Sequence, residues 1–185
     1  MTPGKTYHIY NHGNAEDNLF RSEENYRYFL QKYGEYISPV AFTYAFCLMP
    51  NHFHFLVKIK EELQAGNPIS GSKGEKHIIQ TFSNFFNAYT KAFNKMYSRR
   101  GKLFLTPFKR KEVTNNQQLV NTWKYVHYNA VHHRFVDDPH DWPHSSIHEY
   151  RLSKSSWLKL LPFENNQTAI RNIKPDWNDF LNFDY

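Results

Sequence analysis

Residues 41–59, AFTYAFCLMPNHFHFLVKI, decide how the chain folds. Ala41–Leu48 and Phe53–Ile59 are rich in aromatic and β-branched residues, and Met49-Pro50-Asn51-His52 between them has the composition of a tight turn. The pair reads as an antiparallel hairpin. Upstream, Lys5–Asn11 alternates as a strand with Tyr7, Ile9 and Asn11 on one face, and His12-Gly13-Asn14 ends it. A helix lies between strand and hairpin. Ser22, Glu23 and Glu24 start it, Tyr26, Phe29, Leu30 and Tyr33 recur at helical spacing, and Gly34 or Pro39 closes it.

Downstream, Glu61–Lys76 carries Gly66, Pro68, Gly71, Ser72 and Gly74 and reads as a mobile loop. From Lys76 to about Tyr97, Ile78, Phe82, Phe85, Phe86, Tyr89 and Phe93 form the apolar stripe of an amphipathic helix. Leu103–Val113 is a strand that Pro107 bends or confines to a sheet edge. Asn115 or Asn116 caps a last helix that turns Leu119, Trp123, Val126 and Ala130 inward. The order β-α-β-β-α-β-α predicts an α+β fold: a ferredoxin-like (RRM-like) βαββαβ antiparallel sheet with an added C-terminal helix. Residues 1–150 form the domain, and residues 151–185 are expected to pack on it as a tail.

Composition narrows the partners. Of 185 residues, 40% are hydrophobic and 18% aromatic, which excludes a disordered chain despite a mean hydropathy of -0.75. Lys and Arg number 23 against 17 Asp and Glu, leaving a formal charge of +6 that suits a polyanion. The one cysteine, Cys47, cannot form an internal disulfide. No apolar run reaches the roughly 18 residues of a membrane span, and Met1–Asp17 lacks the apolar core of a secretory signal. The expectation is a cytoplasmic protein with no membrane partner.

Four residues carry candidate chemistry. His52 and His54 stand at i and i+2 of a strand, so both imidazoles leave the same face and Phe53 the other. Tyr125 and Asn129 share a face of the last helix, well around from the Leu119/Trp123/Val126/Ala130 stripe, and are expected to lie outside that helix's core. Two imidazoles and an amide oxygen can hold a divalent ion, Mg²⁺ or Mn²⁺, with positions open to phosphate oxygens that a phenol could attack. A phenol of pKa about 10 needs help at neutral pH, and Lys124, His132 and His133 are the nearby candidates. Tyr89 is the competing nucleophile, but it falls on the Phe82/Phe86/Phe93 stripe and reads as core. Lys91, Lys95, Arg99, Arg100, Lys102, Lys109, Arg110 and Lys111 are candidate contacts to a nucleic-acid backbone.

Leu48-Met49-Pro50-Asn51-His52-Phe53-His54-Phe55-Leu56-Val57 resembles the HUH motif (His, bulky apolar, His) of single-tyrosine transposases. Tyr125-Val126-His127-Tyr128-Asn129 resembles their tyrosine helix, where the nucleophile precedes a polar metal ligand by four. Tyr7-His8-Ile9-Tyr10-Asn11-His12-Gly13 and Trp142-Pro143-His144-Ser145-Ser146 are similar to the opening strand and closing segment of the REP-associated branch, in the right order over residues 5 to 150. Two features depart from that branch. Ala130-Val131-His132-His133-Arg134 stands where Pro and a basic-glycine stretch are usual, and His12 where Arg commonly precedes Gly.

The resemblance implies a DNA transposase, a single-strand endonuclease and ligase. Tyr125 would cleave and rejoin hairpin-flanked single-stranded DNA through a 5′-phosphotyrosine, with His52, His54 and Asn129 holding the metal. It also allows a homodimer that donates the tyrosine helix in trans. The residues alone leave two other readings open: a non-catalytic nucleic-acid-binding module of ferredoxin-like fold, and a metal nuclease in which water replaces Tyr125.

Overall fold

The computed structural model describes residues 1–62, 71–148 and 159, so the expected 151–185 tail lies outside the described residues save for Lys159. In chain order the elements are β1 (Thr6–His12), α1 (Glu23–Ile37), β2 (Ala41–Met49), β3 (His52–Ile59), α2 (Gly71–Met96), β4 (Lys109–Val113) and α3 (Asn116–His132). The four strands form one sheet in the order β2-β3-β1-β4 with every neighbour antiparallel.

Alternation along the central strands builds two cores. Tyr7 and Ile9 of β1 and Phe53, Phe55, Val57 and Ile59 of β3 are buried under α1 and α2. Tyr33 of α1 stacks on Phe55 with ring centroids 4.1 Å apart, and Phe29 meets Phe85 of α2 at 4.8 Å. Tyr89 is buried there and donates to the Leu19 carbonyl at 2.6 Å, so it is a core residue. On the opposite face, Ala45, Cys47, Met49 and Leu56 are covered by Leu119, Trp123, Val126 and Ala130 of α3. Asn115 caps α3 by accepting from the Gln118 amide at 2.8 Å. The free edge of β2 is occupied by residues 144–146: the Leu48 amide donates to the His144 carbonyl (2.9 Å) and the Ser146 amide to the Phe46 carbonyl (3.0 Å). Buried His127 of α3 directs Nδ1–H at the Trp123 carbonyl and takes the Ser146 hydroxyl on Nε2 at 2.7 Å, which ties this segment to the helix.

Two element boundaries differ from expectation. α2 begins at Gly71, inside the stretch read as a loop. Gly74 weakens a helix by only about 1 kcal/mol, and a long-range bond from the Thr2 hydroxyl to Glu75 (2.9 Å) holds the first turns. β4 begins at Lys109 rather than Leu103. Leu103, Phe104 and Phe108 are buried against the α2 core instead of alternating, and Phe104 only bridges to Gly13. Pro107 lies just outside the paired strand, and β4 is an edge strand, as its proline suggested.

Gly13 is required by a close backbone approach. Its amide donates to the Asn51 carbonyl at 2.7 Å, and a Cβ there would sit 1.9 Å from the Asp17 carbonyl oxygen. Gly13→Ala is expected to lower the melting temperature by roughly 5–10 °C, as a forced backbone shift of about 2–3 kcal/mol would. Thermal denaturation followed by circular dichroism checks it, and an unchanged midpoint would mean the segment relaxes freely.

Candidate active site

The sheet register decides which side chains meet under α3. β1 pairs with β3 so that Tyr10 stands opposite His54 and His12 opposite His52. The even-numbered residues His8, Tyr10 and His12 therefore share the α3 face with His52 and His54, while Phe53 and Phe55 point into the other core. α3 lays Tyr125 and Asn129 over this row. The Asn129 amide oxygen is 3.0 Å from His52 Nε2, and the Tyr125 ring meets His54 edge-on at 5.4 Å and His8 at 5.8 Å between centroids. His52, His54, Tyr125 and Asn129 thus converge within one chain.

Tyr125 and Asn129 correct one expectation. They were expected outside the core of α3, yet they are 2% and 0% exposed. Their angle from the apolar stripe stands, but α3 is enclosed by the sheet on one side and by Trp142 and Ile147 of the closing segment on another. A helix covered from two directions buries more than one stripe.

Further histidines surround the expected pair. His8 Nε2 is 2.9 Å from His54 Nδ1, the His12 ring stacks on His52 at 4.7 Å, and His133 meets His52 at 4.7 Å edge-on. His132 is exposed beside His133. His133 was expected only as a group to assist the phenol, and neither His8 nor His12 was singled out; the alternation His8-x-Tyr10-x-His12 on the face opposite Tyr7 and Ile9 was the signal available. Lys124, one candidate for activating the phenol, is half-buried on α3.

The cluster is held neutral. Burial pulls His52 down to about 3, helped by His12 and His133, while the Asn129 side-chain oxygen beside it, which would accept from the protonated ring, opposes. His8 is also pulled to about 3, by burial and then by Lys111, and His54 lies well below the ordinary value through burial and the neighbouring imidazoles. Uncharged imidazoles keep a lone pair for a cation at neutral pH.

Among the described residues no set of three His, Cys, Asp or Glu side chains forms a ready cage for a metal ion. The donors present still fit one that keeps open positions. His54 Nε2 and Asn129 Nδ2 are buried with no hydrogen-bond partner. His52 Nδ1 lies 2.8 Å from the Asn51 side-chain oxygen, which it meets as an N–H donor; this leaves lone pairs on both His52 Nε2 and the Asn129 oxygen facing it. Two acceptors 3.0 Å apart suit a shared cation.

The eight candidate DNA-contacting cations do not form one surface. Lys109 and Lys111 face the histidines, since Lys109 depresses His12 and Lys111 depresses His8. Arg110 alternates to the other face with Lys91 and Lys102. Lys95 borders a separate groove between α1 and α2, and Arg100 is exposed. Arg99 is committed internally: its guanidinium binds Asp17 (Nε, 2.9 Å), Asn94 (3.1 Å) and the Lys102 carbonyl (2.8 Å).

Buried histidines make the fold acid-sensitive, His54 among them with a value well below the ordinary one. His8, His52 and His127 are each pulled to about 3, burial being the first cause, and unfolding returns them to their ordinary value. Folded values below unfolded ones mean full stability above about pH 6.5 and progressive loss as pH falls toward 3, because only the unfolded chain takes up the protons. Three such groups cost about 4 kcal/mol per pH unit near pH 5, so a domain of ordinary stability is expected to unfold between about pH 5 and 4. An acid titration followed by tryptophan fluorescence tests this, and a midpoint below pH 3.5 would contradict it.

No family model matches the chain. A curated protein of Haemophilus influenzae that carries the provisional name REP-associated tyrosine transposase is 27% identical over 108 residues, 57% of this chain, and the match spans 58% of that relative's length. A solved structure of a REP-associated tyrosine transposase bound to a REP hairpin shares the fold, with a TM-score of 0.56 over 88% of this chain and 91% of that one at 15% identity. Among the described residues no helix is long and apolar enough to cross a membrane. In its motifs, in its sequence and in its fold, the chain is similar to the REP-associated branch of the HUH-type single-tyrosine transposases.

Proposed function

We propose that this protein is a metal-dependent single-tyrosine DNA strand transferase that cleaves and rejoins hairpin-flanked single-stranded DNA. Its scaffold is ferredoxin-like, a reading supported by the strand order β2-β3-β1-β4. The observation that carries the function is the meeting of His52, His54, Asn129 and Tyr125 under α3, from residues far apart in the chain. One chain supplies all four, which supports a site built in cis.

In this reading His52 Nε2, His54 Nε2 and the Asn129 oxygen would hold the cation. Bound Mg²⁺ or Mn²⁺ would withdraw charge from the scissile phosphate. Lys109 and Lys111 hold neighbouring phosphates beside the histidine row. The Tyr125 oxygen attacks phosphorus and its proton passes to water; the new O–P bond gives a 5′-phosphotyrosine as the P–O3′ bond breaks, and the 3′ oxygen takes a proton from water and leaves as a hydroxyl. The phosphotyrosine keeps the phosphodiester's energy, so attack by another 3′-OH rejoins the strand without ATP. Tyr125 is 2% exposed, so its ring must swing outward or α3 must shift before a phosphate can reach it.

The test is incubation of the protein with a hairpin carrying single-stranded flanks and Mn²⁺, then denaturing electrophoresis. A shifted protein–DNA band supports the reading. The burial of Tyr125 favours a second one, a non-catalytic DNA-binding module, which hairpin binding without any adduct or cleavage would identify.

A further inference from the structure

Two adjoining cavities lead away from the histidine row. The larger, about 620 Å³, opens between α2 and residues 101–108 on the sheet face away from α3. Asn87, Lys91, Lys102 and Arg110 form its polar rim, Phe86 and Phe104 line its wall, and among the described residues no Asp or Glu takes part. The smaller, about 390 Å³, is lined by His12, Asn51 and Lys109, again with no carboxylate among the described residues. The two share Asn11, Leu105 and Pro107, so the path rounds the end of β1 and arrives at His12, which stacks on His52.

The ridge between the cavities is apolar and firmly held. Leu105 is 44% exposed, one of few large hydrophobic side chains in that state among the described residues. Its amide donates to the His12 carbonyl at 3.0 Å, and the Asn11 side chain donates to its carbonyl at 2.8 Å. Water-facing apolar surface flanked by cations suits a ligand that is anionic along its length and flat between its charges. Unpaired nucleotides have that chemistry, whereas stacked duplex bases cannot lie against a ridge.

We propose that this path binds the single-stranded DNA continuous with the scissile phosphate. Lys109, Arg110, Lys102 and Lys91 hold successive phosphates, and Leu105 and Pro107 carry the bases between them. The proposal rests on reading the histidine row as the cleavage site, and it deepens that reading by separating the strand's track from the hairpin's.

The test compares a hairpin carrying an eight-nucleotide single-stranded flank with the same hairpin cut blunt, by fluorescence anisotropy, for the wild type, the triple variant Lys91→Gln/Lys102→Gln/Arg110→Gln, and Leu105→Asp. The wild type should prefer the flanked hairpin by at least tenfold. The triple variant should lose that preference, with blunt-hairpin affinity within about threefold of wild type, and the salt dependence of flanked binding should fall by about 2 in log–log slope. Leu105→Asp should lose most of the preference without removing a cation. A thiothymidine in the flank should cross-link to residues 103–108. An unaltered preference in both variants, or no preference in the wild type, overturns the proposal. Adduct formation at Tyr125 is scored separately: an adduct with an unaffected flank preference sinks the path alone, and a lost preference with no adduct upholds the path while removing the cleavage reading.

Discussion

Tyr125→Phe is expected to abolish the covalent protein–DNA adduct, a loss of roughly 10³-fold or more, while hairpin binding and thermal stability stay close to wild type. The variant deletes one oxygen. The ring keeps its edge contacts with His54 and His8 at 5.4 and 5.8 Å, so the histidine row is not released. Loss of a phenolic hydroxyl in a buried site costs about 1–2 kcal/mol, well short of unfolding a domain, whereas loss of the nucleophile removes the reaction outright. Denaturing gels with labelled DNA and Mn²⁺ read the outcome. Strand cleavage that persists in the phenylalanine variant would assign the attack to water and make the protein a metal nuclease.

His52→Ala and His54→Ala should each reduce cleavage by about 10²-fold or more and leave hairpin affinity within about threefold. Both imidazoles are neutral, so removing one changes no charge, and Lys109 and Lys111 remain beside the row. Mn²⁺ binding should weaken in parallel, which electron paramagnetic resonance of free Mn²⁺ measures without any turnover. The two variants differ in what they leave behind. Loss of His52 strips the Asn129 oxygen of its 3.0 Å neighbour, and loss of His54 strips His8 of its 2.9 Å partner. A variant that kept full cleavage would end the assignment of that residue as a metal ligand.

Local periodicity made much of the site legible. A two-residue repeat places His52 and His54 on one face and Phe53 and Phe55 on the other in any strand, and a four-residue step stacks Tyr125 over Asn129 in any helix. These are properties of the backbone and need no partner. The cation runs show where such reading stops. Lys109-Arg110-Lys111 is one cluster in the chain but two surfaces in the fold, because alternation sends Arg110 to the α2 cleft and its neighbours to the histidines. Arg99 looked equally available, yet Asp17, 82 residues earlier, joins Asn94 and the Lys102 carbonyl in engaging its guanidinium.

By itself, then, the sequence determined the element order, the hairpin, the shared face of His52 and His54, and the resemblance carried by the motifs. The tertiary structure decided what those elements enclose. Pairing of β1 with β3 brought His8 and His12 to the pair, and the docking of α3 between the sheet and the closing segment buried Tyr125 and Asn129. The division has a physical cause. Periodicity is set by dihedral angles within one element, while register and burial are set by contacts between residues 40 to 120 positions apart, which no local pattern records.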